Sequence, residues 1–299
     1  MDDTSIAERE VAYLGPPGTY SEEAARACFG DAMRTRPCRS IDETFEAVAA
    51  GLVTHTVVPI ENSTEGPVTR TLDLLFDTPA SIVGETVLPV RHCLLCSDTA
   101  SDGPNAHATF DTLECVLAHP QALAQCRAWL DAHAPRARRV EVSSNAEAAR
   151  RAAGSAHHAA IASDAAARRY GLRIAAEAIQ DVPSNCTRFI VLGHHTPEPT
   201  GFDRTSVAVQ LEHRPGALAR LLAPLERHGV SVLWMEARPQ RETPWSYRFI
   251  VDLDGHCAQP AMAASLGAMR QAGESLRVLG SYPRARAGAS IPAGVARCA

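Results

Sequence analysis

The stretch HTVVPIENSTEGPV, residues 55–68, changes character half-way along. Val57, Val58 and Ile60 read as a buried strand, and then five polar residues, Glu61 to Glu65, crowd together ahead of Gly66 and Pro67. An apolar β-branched run closed by turn formers is a strand that ends in a loop. The segment before it predicts a helix capped by Asp42, with Phe45, Val48, Ala49 and Leu52 along one face. The segment after it, VTRTLDLLF, predicts another helix starting near Pro67. A strand entered from one helix and left by another is the repeating unit of an α/β sheet.

The same alternation extends outward. VAYL (11–14) predicts a strand and is followed by a helix from about Ser21, with Glu22 and Glu23 in its first turn and apolar residues at 24, 25, 28 and 29. SIVGETVLPVRHCLLC (81–96) reads as a long strand-rich crossover into a second set of units. These run through AHATF, HPQALAQCRAWLDAH, RRVEVS, NAEAARRAAG, HHAAIA and SDAAARRYGL, with Asn145 as a cap and Gly171 as a helix stop. Two α/β lobes joined by crossing strands leave a cleft between them, the usual position for a small-molecule site. Beyond RFIVLG, Pro197, Pro199 and Gly201 mark a linker. A βαββαβ order follows, with strands at 205–211, 230–237, 246–253 and 275–280 and helices at 215–229 and 260–272, as in ferredoxin-like sandwiches. The expected division is 11–193 for the two lobes, the second spanning about 88–173, then a linker at 194–203, a C-terminal domain at 204–283 and a loose tail at 284–299.

Composition narrows the classes. Of 299 residues, 45% are hydrophobic and 21% charged, the profile of a globular chain rather than a disordered one. Twenty-nine basic and 34 acidic residues, interspersed, leave a net charge of −5, which argues against nucleic acid as a partner. The acidic start MDDTSIAERE lacks a signal sequence and no apolar run reaches membrane-spanning length, so a cytoplasmic protein with no membrane partner is expected. Nine scattered cysteines suit reduced thiols, and Cys93 and Cys96 beside His92 have metal-like spacing without a second pair, so no metal is expected.

Three polar loops sit at strand ends. GPPGTYSEEAA (15–25) joins a strand to a helix and can offer backbone N–H groups to an anion, with Thr19 and Ser21 adding hydroxyls. It is neither a dinucleotide nor a nucleoside triphosphate fingerprint. The second is the opening stretch, with Asn62 and Ser63. The third, DVPSNCTRFIVL (181–192), carries Asn185, Thr187 and Arg188 ahead of an apolar run. No hydrolase elbow and no H-E-x-x-H motif accompanies them.

Taken together, YLGPPGTYSEEAA, VVPIENSTEGPV, HPQALAQC, AAIAS with YGL, NCTRFIVLG, RPGALARLL and EARP make the chain resemble prephenate dehydratase across residues 11–283, in the single-function bacterial form. The resemblance implies an α/β bilobal catalytic domain like type II periplasmic binding proteins, plus a ferredoxin-like ACT regulatory domain. It implies decarboxylation and dehydration of prephenate to phenylpyruvate, with no cofactor and no metal. Thr187 of the T-R-F motif is the expected catalytic residue. Thr19, Ser21, Asn62, Ser63 and Asn185 are expected to orient the substrate, Arg188 to pair its pyruvyl carboxylate, and Phe189 to pack on its ring. Phenylalanine is the expected effector, meeting Pro215, Gly216, Ala217 and Leu218 and lying near Glu236, Ala237, Arg238 and Pro239. Two departures bear on regulation: Ala237 stands where the family has Ser, and Val230, Ser231, Val232 replace its I-N-L segment. A homodimer or homotetramer is expected. Arogenate dehydratase and a non-catalytic binding protein of the same bilobal fold are the alternative readings.

Overall fold

A computed structural model describes residues 10–97, 110–211, 214–240, 246–272 and 275–285. In the first lobe β1 (Glu10–Leu14), α1 (Tyr20–Phe29), β2 (Arg34–Cys38), α2 (Ile41–Ala49), β3 (His55–Asn62), β4 (Gly66–Pro67), α3 (Thr69–Leu75) and β5 (Ser81–Pro89) follow one another. The second lobe holds β6 (Cys93–Ser97), β7 (Cys115–Ala118), α4 (Pro120–Gln125), α5 (Arg127–His133), β8 (Arg138–Glu141), α6 (Asn145–Ala152), β9 (His158–Ala162), α7 (Asp164–Tyr170) and β10 (Leu172–Ala176). The chain then returns through β11 (Cys186–Gly193) to the middle of the first sheet, whose order is β2-β1-β3-β11-β5 with β4 on β3. The second lobe has its own sheet, β10-β6-β9-β7-β8. The fold is therefore α/β and bilobal, as the alternation implies.

Local chemistry explains the element ends and corrects several expectations. Ser40, not Asp42, caps α2 by accepting from Glu43 N, and the buried stripe is Thr44, Phe45, Ala47 and Val48, with Leu52 exposed. Ser144, not Asn145, caps α6, and Asn145 instead accepts from His119 N. Gly171 does end α7, in the left-handed conformation at φ 64° that only glycine adopts without strain. The strand expected in AHATF lies outside the described residues except for Phe110, which opens a 3₁₀ turn. Cys93 and Cys96 are both buried in β6 but pack into different cores on its two faces, so they do not converge on one ion. No helix among the described residues is long and apolar enough to cross a membrane.

The C-terminal domain consists of β12 (Asp203–Gln210), α8 (Ala217–Arg227), β13 (Val232–Pro239), β14 (Tyr247–Asp254), α9 (Pro260–Ala272) and β15 (Ser275–Pro283), with sheet order β13-β14-β12-β15, all antiparallel. Val207, Val209, Val251 and Leu253 face its helices. The alternate residues Ala208 and Ile250, with Leu279 and Tyr282, join Ile82, Ile190 and Leu192 in a core shared with the first lobe. Alternation of strand side chains thus gives this sheet two buried faces. The approach is close: a Cβ on Gly280 would lie 2.0 Å from Ile82 O.

Charges are buried at the same seam. Arg188 donates to Glu85 Oε2 (2.7 Å), Asp252 Oδ2 (2.7 Å) and the Tyr282 hydroxyl (3.1 Å), while Arg204 donates to Asp252 (2.8 Å). Ser206 donates to the other Asp252 oxygen, at 2.5 Å. Burial alone would raise the Asp252 carboxyl, but Arg188 and Arg204 outweigh it and hold the pKa below the ordinary range.

Candidate active site

Between the lobes lies a cleft of ≈ 500 Å³. Its walls are helix starts: the capping residues Thr19, Val68, His119, Ser144 and Ser163 line it, together with Ile41 at the head of α2. Helix N-termini carry unpaired N–H groups and the positive end of the dipole. Among the described residues lining the cleft none is Asp or Glu, and Arg39 is the one permanently charged cation. The site is therefore built for an anion.

Pairing of β11 with β3 sets Thr187 opposite Asn62. Asn62 Nδ2 donates to Thr187 Oγ1 and to Asn185 Oδ1, each at 2.9 Å. Asn62 Oδ1 accepts from Thr64 N (3.0 Å), Thr64 Oγ1 (2.7 Å) and Glu65 N (3.1 Å). Those three donors fix which end of the amide faces Thr187. Much of the polar crowding in the opening stretch thus serves to hold its own loop. Thr187 Oγ1 is already an acceptor, so its O–H is left to donate into the cleft, and accepting one hydrogen bond strengthens the one it gives.

Hydrogen bonds also tie the lobes together. Gln125, at the end of α4, donates from Nε2 to Thr64 Oγ1 and Glu65 Oε1 (both 3.3 Å), and its Oε1 accepts from Asn185 Nδ2 (3.1 Å) and His92 Nε2 (2.9 Å). His92 is therefore the Nε2–H tautomer. Its ring Nδ1 is buried without a hydrogen-bond partner, and burial lowers its pKa, so the ring is neutral. The segments crossing between lobes are also bonded to one another, Val90 N to Asn185 O and Ile179 N to His92 O.

Of the residues expected at the substrate site, Thr19, Ser21, Asn62, Thr187 and Phe189 line the cleft. The Thr19 hydroxyl is occupied, accepting from Glu22 N and donating to Leu14 O. Ser63 and Asn185 do not line the cleft: Ser63 Oγ donates to Asn185 Oδ1 (3.4 Å) and accepts from Cys186 N (3.0 Å). Arg188 is the clear departure. Alternation along β11 turns Thr187 and Phe189 to the cleft and Arg188 to the opposite face, where its guanidinium is spent on Glu85, Asp252 and Tyr282, so it does not meet a substrate carboxylate. Arg39, His92, His119, Gln125, Ser144 and Ser163 line the cleft without having been expected at a substrate site. HPQALAQC contains His119 and Gln125, AAIAS ends on Ser163, and Ser144 to Glu147 is a capping-box pattern that marks a helix start. In the C-terminal domain Gly216 caps α8 at φ 75° with no side-chain cap bond, beside Pro215, Ala217 and Leu218. On β13, Arg238 turns to the first lobe and binds Asp73 at 2.9 Å, which removes it from the expected effector group, and Glu236 shares its side of the strand. Ala237 and Pro239 are exposed.

A family model described as prephenate dehydratase matches residues 11–197. The chain belongs to the prephenate dehydratase family. It is 44% identical to a bifunctional chorismate mutase/prephenate dehydratase from Stutzerimonas stutzeri, over 92% of this chain and 73% of that protein. Among solved structures, prephenate dehydratase from Arthrobacter aurescens in complex with L-Phe superposes with a TM-score of 0.83 at 35% identity, covering 92% of this chain and 90% of that one. GqqA, a quorum quenching acylase, superposes with a TM-score of 0.82 at 29% identity, covering 92% and 98%. Thr187, in the T-R-F segment by which the chain resembles other prephenate dehydratases, is the hydroxyl that Asn62 orients here.

Proposed function

We propose that the protein converts prephenate to phenylpyruvate and that Thr187 assists departure of the ring hydroxyl. Prephenate dianion splits into phenylpyruvate, CO₂ and hydroxide: the C–C bond to the ring carboxylate breaks, its electron pair aromatises the ring, and the C–O bond releases hydroxide. The observation that carries this reading is the Thr187 hydroxyl, accepting from Asn62 and free to donate into a cleft ringed by helix N-termini. A donor placed where charge develops is worth about 10²- to 10³-fold in rate. Arg39 takes the carboxylate-pairing role first expected of Arg188. The lack of an acidic side chain among the described lining residues favours prephenate over its amino counterpart arogenate, whose ammonium would seek one. An acylase reading requires an activated nucleophile, and among the described residues no cleft hydroxyl is hydrogen-bonded to a histidine ring.

The test is Thr187→Ala, assayed by ultraviolet absorbance of phenylpyruvate alongside a thermal melt. A variant that folds normally and keeps near-normal kcat removes Thr187 from the reaction. Phenylalanine is proposed as effector at the head of α8, where Gly216 leaves the N-terminus uncapped by any side chain. Calorimetric titration of wild type and Gly216→Val, paired with inhibition curves, decides it: no heat and no inhibition at millimolar phenylalanine would exclude that ligand. Self-association through the C-terminal sheet is proposed from the edge position of β13 and the exposure of Val232, Met235 and nearby Tyr247, and sedimentation reads it directly.

A further inference from the structure

The guanidinium next in sequence to Thr187 hydrogen-bonds Asp252 and Tyr282 in the C-terminal domain and Glu85 in the first lobe, with Glu61 of the first lobe a longer ion-pair partner at 4.0 Å. The hydrogen-bonded groups are all buried: Asp252 and Tyr282 are 0% exposed, Glu85 4% and Arg188 7%. Charges this deep are costly unless they are fully paired, and a surface contact of two apolar sheets does not require them. Arg188 lies on β11 between Thr187 and Phe189, both of which line the cleft, and the pairing of β11 with β3 shifts register between Arg188 and Phe189. Such irregularities re-aim the side chains beside them. Pulling on Arg188 therefore acts on the strand position that sets Thr187.

We infer that Asp252 and Tyr282 are positioning residues for the reaction: through Arg188 they hold β11 so that the Thr187 hydroxyl meets the cleft at its working angle. This rests on Thr187 as the reactive hydroxyl. A purely adhesive role for the cluster would stabilise the protein without touching turnover. Another interdomain contact supplies the comparison, since Arg277 on β15 donates to Leu75 O and Thr78 O of the first lobe and meets no cleft residue.

The experiment uses the full chain with Asp252→Asn, Tyr282→Phe and Arg277→Met, each measured for kcat and KM on prephenate and for Tm. Tyr282→Phe removes the hydroxyl that accepts from Arg188 and shares a hydrogen bond with Ser206, and it leaves the charges paired, so it remains informative if Asp252→Asn does not fold. Misplacement of a reacting group by about 1 Å costs on the order of 100-fold, and a smaller tilt is expected here. The expected result is a kcat lowered roughly 10-fold in Asp252→Asn and about 3-fold in Tyr282→Phe. KM is little moved, while Arg277→Met loses Tm with kcat intact. Should the two cluster variants lose Tm but keep wild-type kcat, as Arg277→Met is expected to, the cluster is adhesive and the inference is overturned. Thr187→Ala separates the two readings. If that variant is inactive while Asp252→Asn turns over normally, only the positioning role fails; if it is active, the reading of the site fails as well.

Discussion

Replacing Asn62 by Asp preserves shape and reverses one hydrogen bond. The three donors at Oδ1, from Thr64 N, Thr64 Oγ1 and Glu65 N, keep their acceptor. The other position becomes an acceptor facing two acceptors, Thr187 Oγ1 and Asn185 Oδ1, each at 2.9 Å. Thr187 can resolve its half of the conflict by rotating its hydroxyl hydrogen onto the new carboxylate, which withdraws the donor from the cleft. Asn185 cannot, because its Nδ2 is engaged by Gln125 Oε1. Loss of the oriented donor sets the kinetic cost at about 10²- to 10³-fold in kcat, or roughly 2.7–4 kcal/mol of barrier. The bond to Asn185 is the one lost, which at about 1 kcal/mol sets the stability cost before any repulsion, a Tm drop of roughly 2–4 °C. Asn62→Ala also removes the bond but leaves the Thr187 hydroxyl free to find the substrate. The variant closer in shape should therefore be the slower enzyme. Phenylpyruvate formation is followed for both, with melts to confirm folding, and an Asp variant as fast as the Ala variant would refute the orientation argument.

Arg39→Gln is expected to raise KM for prephenate about tenfold with kcat largely kept, the low end of what a charged hydrogen bond contributes because the side chain is exposed; a KM change under twofold would take Arg39 out of the site. His92 has its pKa lowered by burial from 6.5, so between the folded value and about 6.5 the unfolded chain binds a proton that the native protein does not. Stability should therefore fall on acidification below about pH 6.5 and be indifferent to His92 above it, and His92→Gln, which keeps a donor toward Gln125, should flatten the Tm–pH slope in that window. Gly280→Ala puts a methyl 2.0 Å from Ile82 O, backbone that cannot step aside, and should cost about 3 kcal/mol by melt; an unchanged Tm would contradict the closeness of β15 and β5.

Elements governed by local pattern were legible in the sequence. Helix α9 spans 260–272 as read, and the end of α7 follows from Gly171. Cap positions were harder, since Ser40 and Asp42 are both good caps by composition and only the backbone decides between them. The donor loops at strand ends lie along the cleft, with Thr19, Asn62 and Thr187 among its lining residues. Arg188 misled because a cation beside Thr187 reads as a substrate partner until the strand's two-residue period and the sheet packed behind it are known. Its true partners, Glu85 and Asp252, are 103 and 64 residues away in the chain, beyond any local signal. A similar limit hid the second lobe's contribution, because residues such as Gln125 and Ser163 come to share a cleft with Thr187 only through the way the lobes face each other.

The apolar core shared by the first lobe and the C-terminal sheet sets where the molecule comes apart. The second lobe keeps two cores of its own and meets the rest through crossing segments and hydrogen bonds such as those of Gln125, whereas Ile82, Ile190, Ala208 and Ile250 form one continuous interior across the linker. Chain order and cooperative order therefore disagree. On heating, the last domain in sequence should melt together with the first lobe, and the fault line should run along the cleft instead of at residues 194–203. Cutting the chain at the linker would not release a self-contained body; it would strip the inner wall from the sheet that carries Thr187.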